Sequence, residues 1–297
     1  DIQLLAVDGS GTMSNSFPGS LSALTSSGNA VVGGDFRFAS LSGNHRSLND
    51  LTIVWNETVN DANGAVNHGI LQAAKMRYMF GGKISMPMVV RLPAGAGVSA
   101  AAQHSQSLEA WITHVPGLKV VYPSTPQDAL GLMLSSIDDD NPVMFLEHKA
   151  IYTMKGDVDS LTPIPLGKGD IKRAGEDVTI IATGKMVHEA LAAAKMLEAD
   201  GISAEVLDPR TLYPLDKALI AQSLSKTHRA VIVTEENRRG GYGGEISAMI
   251  AEEMFDLLDC PIVRIGALDT PVPFAPVLEQ VYLPNAQDIA NAIRAQE

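Results

Sequence analysis

The sequence predicts an α/β protein with two doubly wound domains, and three observations support this. Strand-like and helix-like segments alternate from residue 69 onward. The predicted strands are continuous β-branched runs, which is typical of parallel sheets covered by helices on both faces. The length of 297 residues suffices for two domains of ordinary size.

Each predicted element rests on a local signal. Helix formers fill residues 69–79, and the pair Gly81 and Gly82 ends that helix. An apolar strand at 86–91 then leads into a glycine loop at 93–97, where a backbone could approach a ligand closely. Beyond this loop we predict a short helix at 107–112, a strand at 119–122, a helix at 127–137 and a strand at 143–147.

The chain between residues 152 and 172 is rich in Gly, Asp, Ser and Pro, which is typical of a linker. We therefore predict one domain at residues 1–160, of which 1–70 are atypical, and a second at 161–297. The second domain has predicted strands at 178–183, 204–207 and 230–234, and predicted helices at 186–200, 215–224 and 244–258.

Composition and charge exclude several functions. With 45% apolar and 19% charged residues the chain is expected to be globular. Its net charge of −12 repels nucleic acid and anionic lipid, so neither is an expected partner. The single cysteine, Cys260, cannot form an internal disulfide, and no secretory or membrane-spanning pattern is present. We expect a cytoplasmic or organelle-matrix protein.

One histidine stands where chemistry is expected. His104 opens a helical segment directly after the glycine loop, where an imidazole that titrates near neutral pH could reach a cleft. The sequence segments around it are residues 102–111 (AQHSQSLEAW) and 114–126 (HVPGLKVVYPSTP). They occur in order with 76–83 (MRYMFGGK), 140–142 (DNP), 145–149 (FLEHK), 183–189 (TGKMVHE), 208–212 (DPRTL) and 272–276 (VPFAP).

From residue 73 to the C-terminus these segments resemble the beta subunit of the thiamin-diphosphate-dependent decarboxylase component of 2-oxoacid dehydrogenase complexes, in the pyruvate and acetoin branch. The resemblance implies a transketolase-like pyrimidine-binding domain followed by a transketolase C-terminal domain. It also implies an α₂β₂ heterotetramer with an alpha subunit, docking to a lipoyl acyltransferase core, and oxidoreductase activity. Thiamin diphosphate would be shared with the alpha subunit, which would hold magnesium.

Residue roles follow from the resemblance position by position. His104 matches the active-site histidine of the family. Asp139 and Asn141 match positions near which some relatives bind potassium, although an Asp-Asn-Pro turn is an equally good structural reason for them. His148 and His188 match positions without a clear role, so surface exposure or packing is expected for both.

The first 70 residues depart from the family. No glutamate precedes Glu57, so the glutamate that activates the aminopyrimidine ring in relatives is not found. Phe36 and Trp55 are weak candidates for the aromatic platform beneath that ring. Divergence, a misread coding segment or an engineered replacement would each explain this region. The alternative function is therefore a catalytically degenerate beta chain that acts as an assembly scaffold.

A second glycine-rich segment, at residues 240–244, leads directly into a predicted helix. Such a segment can bind phosphate at the helix N-terminus. Two glutamates, Glu235 and Glu236, lie close by, so packing is the favoured interpretation.

Overall fold

The computed structural model describes residues 2–7, 13–14, 51–55, 65–158 and 161–296, and before residue 70 only the backbone path. In chain order the strands are β1 (Ile2–Val7), β2 (Met13–Ser14), β3 (Leu51–Trp55), β4 (Met88–Ala94), β5 (Lys119–Val121), β6 (Val143–His148), β7 (Asp170–Arg173), β8 (Val178–Ala182), β9 (Ala204–Asp208), β10 (Thr211–Tyr213), β11 (Ala230–Asn237) and β12 (Val263–Ala267). The α-helices are α1 (Ala65–Met79), α2 (Glu109–Thr113), α3 (Pro126–Ile137), α4 (Met186–Leu197), α5 (Lys217–Thr227), α6 (Tyr242–Glu253), α7 (Pro276–Tyr282) and α8 (Ala286–Arg294).

The described strands form two sheets. The first has the order β10-β5-β6-β4-β3-β1-β2, and the second has the order β12-β11-β8-β9-β7. The central strands of both sheets are parallel, whereas β1, β2, β7 and β10 pair antiparallel at the sides. Parallel neighbours joined through helices confirm the predicted α/β class.

Helices cover both sheets, and one apolar core reaches from the first sheet to the second. On the second sheet, α4 and α8 pack over one face through Val187 and Ile289 among others. The opposite face, with α5 and α6, shares its core with Val120 and Leu146 of the first sheet. The remaining face of the first sheet packs against α3 through Leu132. The two sheets therefore share one of these hydrophobic clusters.

Most predicted elements are present, with shifted ends. Helix α1 begins four residues earlier than predicted, and the end of the predicted 244–258 helix is a separate 3₁₀ turn at Phe255–Leu257. The strand β7 occupies part of the predicted linker, and β10, β12, α7 and α8 were not predicted. Strand β10 lies after residue 160 but pairs with β5 of the first sheet. The division of the chain at residue 160 stays a prediction.

Among the described helices, none combines the length and apolar character that crossing a membrane requires.

Candidate functional site

His104 lies in a 3₁₀ turn, Ala102–His104, at the end of the loop that follows β4. Its side chain is half-buried. Strands β3, β4, β6 and β5 run parallel, so this loop leaves from the carboxyl edge of the first sheet. Ligands of α/β proteins bind preferentially at that edge. The backbone of Trp55 ends β3 at the same edge, whereas Phe36 lies outside the described residues.

The loop before His104 has an unusual backbone. Gly95 and Gly97 have φ angles of 87° and 93°, and Ser99 and Ala101 have φ angles of 56° and 64°. Ala101 combines its φ with a ψ of −174°, a region that is populated almost only by glycine. Residues other than glycine rarely adopt positive φ, so the backbone at Ser99 and Ala101, which leads to His104, is strained.

The loop amides donate to buried glutamates from distant parts of the chain. The amide of Ala96 donates to Oε1 of Glu235 at 2.6 Å. The amides of Gly97 and Ser99 donate to the two carboxylate oxygens of Glu279, at 2.8 and 3.0 Å. Backbone amides of such a loop can bind an anion, and here they donate to the protein's own carboxylates.

His148, at the end of β6, is buried and supports the loop from below. Its Nδ1 accepts from the amide of Ala150 at 3.2 Å, so the ring proton lies on Nε2, which donates to Oε2 of Glu235 at 2.7 Å. The ring stacks on Tyr122, with centroids 6.3 Å apart. Burial alone would raise the pKa of Glu235, but the bonds from His148 and Ala96 outweigh burial and lower it. The expectation of a packing role for His148 is consistent with this environment.

Two more carboxyl groups, Glu109 and Glu236, are buried behind the loop. Burial raises the pKa of Glu236 to about 7, although amides including those of Gly243 and Ala110 donate to it. Burial and the neighbouring Glu236 raise the pKa of Glu109 well above its usual range. The charge of Glu235 also raises the pKa of Glu109, so this buried pair lies near the His148–Glu235 bond.

In the glycine-rich segment at the start of α6, a backbone amide likewise donates to a glutamate of the protein. Oε1 of Glu236 accepts from the amide of Gly243 at 3.2 Å in the first turn of the helix. The partial positive charge of a helix N-terminus favours a carboxylate there, as it would a phosphate. The packing interpretation of this segment therefore agrees with the structure.

Asp139 and Asn141 lie before β6, at the edge of the first sheet opposite His104. Oδ1 of Asp139 accepts from the amide and from Nδ2 of Asn141, each at 2.9 Å, and Oδ2 accepts from Lys119. Burial alone would raise the pKa of Asp139, but the bonds from Lys119 and Asn141 hold it below its usual range. Both oxygens of Asp139 thus accept hydrogen bonds from neighbouring residues, and the potassium site at Asp139 and Asn141 stays a prediction.

The glutamates of the site were missed from the sequence. Glu235 and Glu236 follow four buried apolar residues and Thr234 in β11, and carboxylates near the carboxyl end of such a strand are a signal that sequence reasoning could have used. Glu279 carries no such signal, because it sits in a short helix among exposed apolar residues. Within the described residues no group of three His, Cys, Asp or Glu side chains could hold a metal ion.

Comparisons with known proteins match nearly the whole described region. Residues 53–155 match the family described as transketolase, pyrimidine binding domain, and residues 167–289 match transketolase, C-terminal domain. A solved structure, a split gene transketolase described as an inactive beta4 tetramer, superposes with a TM-score of 0.61 at 26% identity, covering 82% of each chain.

Curated relatives are more similar still. The acetoin:2,6-dichlorophenolindophenol oxidoreductase subunit beta of Bacillus subtilis is 55% identical over 75% of this chain and 65% of its own length. The 2-oxoisovalerate dehydrogenase subunit beta of the same organism is 46% identical over 77% and 71%. The pyruvate dehydrogenase E1 component subunit beta of Rickettsia felis is 45% identical over 80% and 73%. The chain thus spans just under two thirds of the acetoin relative.

Proposed function

The chain belongs to the beta-subunit family of 2-oxoacid and acetoin dehydrogenases, and we propose that it works as such a beta subunit together with an alpha subunit. The proposed reaction is cleavage of a 2-oxoacid of the pyruvate type, or of acetoin, followed by acyl transfer to lipoamide. The observation that carries the proposal is His104, presented at the carboxyl edge of a parallel sheet by a loop whose amides are held by buried glutamates. None of the comparisons supports the alternative of a non-catalytic scaffold.

Thiamin diphosphate is the proposed cofactor, shared between the two subunits. When bound, it would supply the nucleophile for the substrate carbonyl and an electron sink for the cleavage. His104 then serves proton transfer beside the reacting centre, a role that suits an imidazole. The buried neighbours of its loop keep the histidine in place during this transfer.

At two places rich in backbone amides, the described residues do not fit the diphosphate group of this cofactor. At the loop of residues 95–99 and at the start of α6, the converging amides already bind glutamates. A diphosphate group would need such amides or cations, so these two places favour a diphosphate and magnesium held by the alpha subunit. The same proposal includes an α₂β₂ heterotetramer, docking to a lipoyl acyltransferase core, a cytoplasmic or matrix location, and domains at residues 1–160 and 161–297.

The test is turnover by the reconstituted pair of subunits. The chain is mixed with its alpha subunit, thiamin diphosphate and magnesium, and the reduction of 2,6-dichlorophenolindophenol is followed with pyruvate, 3-methyl-2-oxobutanoate and acetoin. We expect turnover with at least one substrate, and a loss of about 100-fold or more in His104→Ala, because acid–base groups contribute roughly that much.

The control is His114→Ala, which removes an exposed histidine from the end of α2 and should leave turnover within about twofold, as is usual for surface substitutions. A stable complex without turnover for any of the three substrates would contradict the proposed function. Turnover that survives in His104→Ala would contradict the role of the histidine.

A further inference from the structure

We propose that Glu279 is the positioning residue that fixes the strained loop of residues 95–101 and thereby sets the place of His104. This inference rests on the proposed function only for the role of His104. The hold of Glu279 on the loop is a property of the chain alone.

The loop needs an external hold. Ser99 and Ala101 both have positive φ, a conformation that is unfavourable for a residue with a Cβ atom. Such strain persists only where the surroundings over-determine the conformation. Because Ala101 comes immediately before the turn that carries His104, a relaxation of its backbone would rotate that turn.

Glu279 supplies the hold from the second half of the chain. It lies in α7 and is 3% exposed, so solvent does not compete for its oxygens. Oε1 accepts from the amide of Gly97 at 2.8 Å, and Oε2 accepts from the amide and the hydroxyl of Ser99, at 3.0 and 3.3 Å. One carboxylate thus fixes two loop amides through both of its oxygens.

Apolar packing holds the two parts together. Ala96 of the loop shares a small buried core with Tyr282 and Leu283 at the end of α7. A Cβ atom at Gly97 would lie 3.7 Å from Leu283 Cδ1, so the loop passes close to the helix end. The carboxylate of Glu279 is therefore carried by a packed element rather than by a free side chain.

We call the bonds from Gly97 and Ser99 to Glu279 the clamp. The clamp requires a carboxylate and not merely a polar side chain. In Glu279→Gln one oxygen becomes an amino group, which faces a backbone N–H instead of accepting from it. The loop amide that faced this oxygen would then lose its acceptor, and the bond that remains would be weaker, because hydrogen bonds to charged groups are about twice as strong as neutral ones. Glu235 is a poorer test of the idea, since it also binds His148.

The first measurement is amide hydrogen exchange of the peptide that covers residues 95–107 in the full chain. We expect exchange at Gly97 and Ser99 to rise about tenfold to 100-fold in Glu279→Gln, the range that loss of one such hydrogen bond predicts. The matched control is Glu198→Gln, which breaks an exposed ion pair with Arg173 and should leave this peptide unchanged. Unchanged exchange in Glu279→Gln would overturn the clamp, whether or not the enzyme is active.

The second measurement separates positioning from general stability. In the reconstituted enzyme we expect Glu279→Gln to lower kcat about tenfold or more with little change in KM, and to have less than about a twofold effect in a His104→Ala background. An equal loss in both backgrounds would mean that Glu279 acts through something other than His104 and would overturn the inference.

Two further results are distinguishable. If the unsubstituted enzyme turns over none of the substrates, the proposed function fails while the exchange result still decides the clamp. If Glu279→Gln does not fold, Ser99→Ala removes only the hydroxyl donor and should accelerate exchange at residue 99 in the same direction by a smaller factor. No acceleration in that variant would count against the clamp.

Discussion

At the scale of single residues, Gly95 is the position where the site tolerates least change. A Cβ atom there would lie 2.3 Å from Nε2 of His148, and the φ angle of 87° is itself unfavourable for any other residue. In Gly95→Ala we expect the free energy of unfolding to fall by roughly 2–5 kcal/mol, because overpacking and backbone strain act together. Urea denaturation of the purified chain measures this loss.

The matched control for this prediction is Gly201→Ala. Gly201 has a φ angle of 77° after α4, but no atom lies within 4 Å of its hypothetical Cβ. This variant should lose only the strain component, about 1–2 kcal/mol. Equal losses at both positions would show that contact with His148 does not constrain the loop.

At the same scale, sequence reasoning succeeded where the chemistry is local and failed where it is not. His104 could be predicted, because a glycine loop directly precedes it and sequence segments that resemble the beta-subunit family surround it. Glu279 could not, because its partners Gly97 and Ser99 are distant in sequence and no local pattern links them. His148 was expected to be on the surface or packed, and its bond with Glu235 is a tertiary property as well.

At the scale of elements, the regular part of the fold was predictable and the edges were not. Strand β8 is buried throughout, so its run of mostly apolar and β-branched residues identifies it. Strand β10 has only three residues and is followed by a proline, and three of the four residues of β7, at a sheet edge, are charged. Edge strands carry a weak hydrophobic signal, which explains both omissions.

A cluster of charges ties these edge elements to α3. Asp128 of α3 binds Lys172 of β7 at 2.6 Å and Arg210, beside β10, at 2.9 Å. Asp208, at the end of β9, is fully buried and accepts from the Ser124 hydroxyl and the Arg210 amide. Burial raises the pKa of Asp208 to about 7.

This pKa predicts a pH dependence for Asp208→Asn. Between pH 4 and 7 the folded chain keeps a proton on Asp208 that the unfolded chain has lost, so this group's contribution to stability declines as pH rises through that window. The variant lacks the decline and should gain stability relative to the unsubstituted chain, by at most roughly 4 kcal/mol at pH 7 or above. Urea denaturation at several pH values between 5 and 8 measures the difference.

The control is Asp200→Asn, which removes a partner of Arg294 in a partly exposed ion pair. Its difference from the unsubstituted chain should stay nearly constant over the same range. A constant difference for Asp208→Asn as well would mean that burial does not raise the pKa of Asp208.

At the scale of the whole molecule, the described structure joins the two sheets rather than merely placing them in one chain. The loop amides before His104 reach Glu235 of the second sheet and Glu279 of α7. Strand β10 pairs with β5, and a shared core contains side chains from both sheets. A site assembled in this way depends on both halves of the chain, which no motif in either half could reveal.

The shared core predicts that the described chain unfolds in one cooperative transition. Leu146 of β6 and Ile232 of β11 belong to the same buried cluster, although they lie in different sheets. Truncating either to alanine should lower the free energy of unfolding by roughly 2–5 kcal/mol, the range for buried Leu and Ile. Because the cluster is continuous, each variant should shift the midpoint of both halves equally. Urea-dependent hydrogen exchange, read separately for peptides before residue 150 and after residue 175, measures the two midpoints, and a Leu146→Ala effect confined to the first group would contradict the single transition.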